Sequence, residues 1–252
     1  MRIAKLSIKN FRSIKSVENI SIGRITAFIG RNDVGKSNIL YALKLFFEDQ
    51  KVEEEDLFLL RGETEDFIEI AVSFTDLPDQ IELEENVPTT FAEENLLDDK
   101  GFLTIIKRFR VGKKTPEVYL EVLDYEDDDF CALYMKKESD LNSLLSRLGF
   151  IAKKAGRSIT NKEKRAKIRK IAEQKGIKKK LRRIKIGSKI YEALRKCLPE
   201  LVFYASNMPI DPTASSFQNE FKPLIDEALR RNEELYNKLE EETRKTLQGE
   251  IN

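Results

Sequence analysis

The sequence predicts an α/β fold with a mixed sheet, an antiparallel β meander and a C-terminal helical arm. Three observations carry this. Residues 24–47 read as a short apolar strand, a G-x-x-x-x-G-K-S loop and an apolar-faced helix. Strand-like stretches recur over residues 2–9, 16–22, 67–74, 102–111 and 118–123, with period-two alternation over 2–9 and 67–74. Residues 216–248 carry an apolar stripe whose mean step is nearer 3.6 than 3.5, as in an ordinary helix and unlike a strict heptad.

The elements follow in order. Ile3, Leu6 and Ile8 suit a half-buried first strand, and Asn10-Phe11-Arg12-Ser13 breaks it as a turn. Residues 16–22 make a second strand that Gly23 ends, and residues 24–29 a third, buried one that runs into the loop. In the helix after it, Ile39, Leu40, Ala42, Leu43, Phe46 and Phe47 form a wide apolar face fit to pack on a sheet. Residues 67–74 are a strand ended by Pro78, and residues 81–95 are irregular and acidic. Residues 102–111 and 118–123 pair as a hairpin around the turn at 112–116. A short helix over 139–148 is capped by Ser139 or Asp140. The basic segment after Asn161 is helix-prone, hinges at Gly176 and closes at Gly187; Ser188 caps a helix through Cys197. Residues 201–204 read as a buried strand and 208–212 as a rigid loop. The final helix, some 33 residues or roughly 50 Å long, wants a partner surface.

The loop carries the chemistry. Gly30 and Gly35 let the backbone turn so that successive N–H groups point at phosphate oxygens, and the helix N-terminus adds its partial positive charge. Lys36 can reach the β- and γ-phosphates, and the Ser37 hydroxyl can ligate Mg²⁺. Arg12 can turn back toward the phosphates as an added positive clamp, or remain a surface arginine. The run Glu53, Glu54, Glu55, Asp56 reads as a solvated loop or helix end rather than a metal site. Residues 118–124, an apolar strand ending in Asp124, imitate the Mg²⁺-ligating strand of nucleotide hydrolases, enriched by Asp127–Asp129; but Glu121 alternates with apolar neighbours, which suits a hairpin strand with one wet face.

Composition narrows the alternatives. The chain has 252 residues, a net charge of +1 and no histidine, which excludes His-ligated metals, Ser–His triads and a catalytic imidazole within it. Its two cysteines, Cys131 and Cys197, are isolated, and no apolar run approaches 18 residues. A soluble, cytoplasmic protein with no membrane contact is expected. Charge is polarised along the chain. Residues 48–99 hold 19 acidic and 2 basic residues, a net of −17, whereas residues 151–187 hold 16 basic and 2 acidic, a net of +14. The second block, with Lys178, Lys179, Lys180, Arg182 and Arg183 at its centre, is a candidate DNA-binding segment, or a solvated loop, or the partner of the acidic block in an inter-subunit contact.

Leu6-Ser7-Ile8-Lys9-Asn10-Phe11-Arg12-Ser13-Ile14 and Phe28-Ile29-Gly30-Arg31-Asn32-Asp33-Val34-Gly35-Lys36-Ser37-Asn38-Ile39-Leu40 resemble the amino-terminal lobe of ABC-type ATPases of the SMC and RecF group. Asn32-Asp33 and Phe74-Thr75-Asp76-Leu77 are most similar to the OLD family of ATP-dependent nucleases. The resemblance implies a P-loop ABC-type ATPase lobe over 1–135, a basic helical insertion over 136–200, and a return strand and the start of a coiled-coil-like arm over 201–252. It implies that Gly30, Arg31, Asn32, Asp33, Val34, Gly35, Lys36, Ser37 and Asn38 hold ATP and Mg²⁺, with Arg12 near the phosphates. Family members add a serine-glycine signature, an apolar strand ending in Asp-Glu and a TOPRIM nuclease domain, none of which is visible here. The chain is therefore expected to be the first half of such a protein, a truncated piece or a split gene product. It would act as a homodimer or larger assembly, with the missing half or a partner subunit, in DNA cleavage tied to phage defence or repair. A RecF/SMC-like repair ATPase without nuclease, or a nucleotide-gated non-catalytic interaction module, is the alternative.

Overall fold

The computed structural model describes residues 1–30, 35–58, 66–150, 153–154 and 157–203. The expectations for residues 31–34, 204, 208–212 and 216–248, the arm included, lie outside the described residues. Residues 1–200 form one compact unit, and residues 201–252 a second.

The first unit is organised on a six-stranded sheet. Its strands are β1 (Arg2–Phe11), β2 (Ile14–Ser21), β3 (Phe67–Thr75), β6 (Leu103–Arg110), β7 (Glu117–Tyr125) and β10 (Lys179–Lys185). They lie in the order β10-β7-β6-β3-β1-β2, with every pair antiparallel. The alternation read in the sequence is the reason. Ile68, Ile70, Val72 and Phe74 face one side of β3, and Leu103, Ile105 and Phe109 the same side of β6. Helices α1 (Lys36–Glu48) and α4 (Ser188–Arg195) cover that side, burying Ala42, Leu43, Leu45, Phe46, Ile190, Ala193 and Leu194 in one core. Lys107 enters the same core, is fully buried, and donates to the Phe46 carbonyl oxygen at 2.6 Å while pairing with Asp49. It thereby satisfies an end carbonyl of α1. Burial pushes its pKa below the usual lysine value, against the pull of Asp49. A second core joins α2 (Glu138–Arg147) to α3 (Asn161–Gln174) through Leu141, Leu144, Leu145, Ile168 and Ala172.

The structure corrects several expectations. Residues 24–29, read as a buried strand, are in no sheet, and Ile25 and Ile29 are 93% and 94% exposed. The sheet is therefore antiparallel throughout the described residues, because the strand that would make it mixed has no neighbour to pair with. The basic segment is helical only to Gln174; Gly176 then takes a left-handed φ of 68°, and the chain returns as β10, the edge strand beside β7. An edge strand rich in Lys and Arg lacks the apolar alternation that marks a central one. Residues 81–95 are more ordered than expected: β4 (Ile81–Glu84) and β5 (Val87–Thr89) form a small hairpin whose Ile81 and Leu83 join the main core. Helix α2 begins at Glu138, ahead of Ser139 and Asp140, with no side-chain cap; Ser188 is the first residue of α4, and Gly187 holds its cap position. Two further residue pairs, β8 (Lys153–Lys154) and β9 (Arg157–Ser158), make a short ladder. Residues 136–200 thus divide between the two cores, since α2 and α3 build the second while β10 and α4 complete the first.

Candidate nucleotide site

The site is assembled where the β1–β2 turn meets the start of α1. Gly35 sits at the helix N-cap with φ 87°, in the left-handed region, and its carbonyl oxygen accepts from the N–H of Asn38 at 3.0 Å. A Cβ at Gly35 would lie 2.7 Å from the Ser13 hydroxyl oxygen. Both backbone angle and space therefore require glycine. Asn38 Nδ2 donates to Ser13 Oγ at 2.8 Å, which ties the turn to the helix. Lys36 Nζ donates to the Gly30 carbonyl oxygen at 2.7 Å and draws the two ends of the loop together. The first turn of α1 holds no acidic residue, so nothing on the helix itself neutralises the positive end of its dipole. Ser37 is exposed beside it. Backbone donors, an ammonium and a hydroxyl are the donor set that a phosphate chain with Mg²⁺ needs.

Arg12 stands in the turn itself, at φ 50°. A left-handed φ in a two-residue hairpin loop favours Gly or Asn, and the Cβ of any other residue there carries about 1 kcal/mol of strain. Its guanidinium lies 4.9 Å from the ring centre of Tyr41 on α1 and 5.1 Å from that of Phe11. Arg12 Nε donates to Asp56 Oδ1 at 3.0 Å, and the Arg12 backbone N–H donates to the Asp56 carbonyl oxygen at 2.7 Å. Arg12, Gly30, Gly35, Lys36, Ser37 and Asn38 are thus gathered at one end of the molecule; Arg31, Asn32, Asp33 and Val34 lie outside the described residues.

Sequence reasoning passed over Ser13, Tyr41 and Asp56. Ser13 and Tyr41 stand beside motif residues and were readable as neighbours. Asp56 lies 44 residues from Arg12, and nothing local tells which of four successive carboxylates turns inward. Among the described residues no group of three or more His, Cys, Asp or Glu is placed to hold a metal, and in the acidic run Glu53 pairs with Lys51 and Asp56 with Arg12.

Asp124 is a structural carboxylate. It is buried and accepts from Asn95 Nδ2 at 3.0 Å, the Tyr125 N–H at 2.9 Å and the Ala132 N–H at 2.7 Å. Register also removes it from the site. The pairs Lys9 with Glu69, Glu69 with Arg108, and Arg108 with Glu117 put Glu117 at the Arg12 end of the sheet. Asp124 is seven residues further along β7, roughly 24 Å away at 3.4 Å per residue.

The five residues singled out for DNA do not share a face. Lys179 and Arg183 project from one side of β10, Lys180 and Arg182 from the other, and Lys178 precedes the strand. Arg183 pairs with Glu69 at 2.9 Å, Arg182 pairs with Asp128 at 2.8 Å and bonds two backbone carbonyls, and Lys179 reaches Asn95. Elsewhere the basic block meets the acidic block within the chain: Arg165 joins Glu84 and Glu94, Arg169 joins Glu94, and Lys162 joins Glu93.

No helix among the described residues is long and apolar enough to cross a membrane. A family model described as an AAA ATPase domain matches residues 1–251. Three curated proteins match shorter stretches: an uncharacterized protein of Methanocaldococcus jannaschii, 44% identical over 57 residues; the Old nuclease of Escherichia phage P2, 41% over 58; and the endonuclease GajA of Bacillus cereus, 38% over 50. These stretches cover 23%, 23% and 20% of this chain, and 17%, 10% and 8% of the relatives, so the alignments span a small part of each relative's length. A turn-mounted arginine, a lysine that ties Gly30 to the start of α1 and a first helical turn without acidic residues agree with the domain match: the chain belongs to the AAA ATPase domain family, and its partial likeness to the Old and GajA nucleases supports an ATPase region of the OLD type.

Proposed function

We propose that this chain is the ATP-binding region of an OLD-like ATP-dependent DNA endonuclease, in which nucleotide controls DNA engagement or dimerisation. The observation that carries the reading is the seating of the β1–β2 turn on the start of α1, through Asn38, Ser13 and Gly35. It sets an arginine, a lysine and a helix N-terminus beside one another. In this reading residues 30–38 hold the triphosphate, Ser37 holds Mg²⁺, and Arg12 adds positive charge from the side. Mg²⁺ would offset phosphate charge and orient the chain of oxygens. A role in phage defence or repair, an assembly of two or more copies, and DNA contacts from residues 178–183 belong to the same proposal.

The grip on ATP and its hydrolysis are separable here. Asp124, which mimics the carboxylate of a hydrolase strand, is at the far end of β7, and Glu69, at the Arg12 end of the central strand β3, is paired with Arg108 and Arg183. The chain is therefore expected to bind Mg-ATP and to turn it over slowly by itself. Calorimetric titration of Mg-ATP and a steady-state phosphate-release assay test this, with Lys36→Ala as control. Binding lost in Lys36→Ala, together with little turnover in either protein, is the expected result. Binding that ignores Lys36 would overturn the proposal.

A further inference from the structure

We propose that Asp56 is a positioning residue for Arg12, mounting its guanidinium at the start of α1 so that it meets the bound nucleotide; this rests on the nucleotide reading above. The segment around Asp56 is fastened to the end of β1. Leu57 bridges Phe11, and the Phe58 N–H donates to both the backbone and the side-chain oxygen of Asn10. Asp56 closes the short helical turn Glu54–Asp56, where its Oδ2 accepts from the Glu53 N–H at 3.2 Å. Its two carboxylate oxygens are therefore committed to different partners, one to that turn and one to Arg12 Nε. The carbonyl oxygen of the same residue holds the Arg12 N–H.

One residue thus holds both the backbone and the side chain of an arginine that stands at a left-handed φ. Nε is one of five N–H donors on a guanidinium, so a carboxylate at that edge orients the plane and leaves the group able to donate elsewhere. The rings of Phe11 and Tyr41 limit where the plane can go. Fold stability is a poor account of the arrangement. The pair is half-exposed, and such pairs contribute little. An outlying backbone angle held by converging contacts is instead the usual mark of a functional constraint. Of the four carboxylates in the run, Asp56 is the one that the structure shows on Arg12.

The test is a double-mutant cycle read by calorimetric titration of Mg-ATP into the full chain. Arg12→Ala and Asp56→Ala are each expected to weaken binding about tenfold, the value of one charge-assisted hydrogen bond. The double variant should bind no more weakly than Arg12→Ala alone, because Asp56 acts through Arg12. Asp56→Asn, which keeps an acceptor but loses the charge on it, should bind between the wild type and Asp56→Ala, and it carries the cycle if Asp56→Ala does not fold. Wild-type affinity in the Asp56 variants, or losses that multiply in the double, would overturn the inference. Lys36→Ala separates the two levels. If it binds as the wild type does, the nucleotide reading falls. If it loses binding while the Asp56 variants keep it, only the positioning role falls.

Discussion

Two arginine–carboxylate pairs in this molecule use the same chemistry to opposite ends. Arg165 and Glu94 have side chains 3% and 0% exposed, and Arg169 and Glu84 close the network around them. Thr89 adds a hydroxyl to Glu94. Arg12 and Asp56 are 40% and 22% exposed, and their neighbours are a strained turn and the open end of a helix. The buried pair joins α3 to the segment after β5, where both charges are spent on each other. The exposed pair leaves its arginine at a surface that a ligand can reach. The difference lies in desolvation: a charge already stripped of water has its partners inside the fold, while one that keeps part of its hydration can still exchange water for phosphate.

Breaking the buried network should have the largest effect. Glu94→Ala leaves Arg169 without its carboxylate and Arg165 with Glu84 alone, and about 3–5 kcal/mol of stability should be lost, seen as a lower urea midpoint. Acid should act on the same group more gently. Burial would raise the Glu94 carboxyl, but its bonds and charges from Arg165 and Arg169 hold it below the ordinary carboxylate value. Its contribution is therefore full above the unfolded carboxylate pKa, near 4.3, and lost as pH falls through the folded one. Urea midpoints taken from pH 6 downward should fall more steeply in the wild type than in Glu94→Gln. The smallest change in stability is expected at the exposed pair. Arg12→Ala should shift stability by no more than about 1 kcal/mol, because the ion pair is half-exposed and the strain of the left-handed angle comes from Cβ, which alanine keeps. A large loss there would make Arg12 a fold residue and erase the contrast.

Much of this was legible along the chain. Strand-like stretches located β1, β2, β3, β6 and β7, and the motif located α1, because each signal is written over adjacent residues. The pattern of β10 was not legible. Leu181, Arg183 and Lys185 face one side and Lys180, Arg182 and Ile184 the other, so neither side is apolar, and only the neighbouring β7 makes it a strand. The partners of the charged blocks were equally hidden. Glu94 and Arg165 are 71 residues apart, and whether opposite charges meet within one chain or between two is settled by the fold that folds them together. At the site, the motif named residues 30–38 but not Asp56, which faces the arginine.

The uncovered segment at residues 24–29 has a consequence of another kind. Ile25 and Ile29 stand in water at the entrance to the loop, on backbone that no strand among the described residues engages. A short β-prone stretch in that state is adhesive, since any extended chain can lie along it and pair. The approach to the phosphate loop is therefore also a stretch open to strand pairing with another chain, and the tendency to associate there should rise with protein concentration.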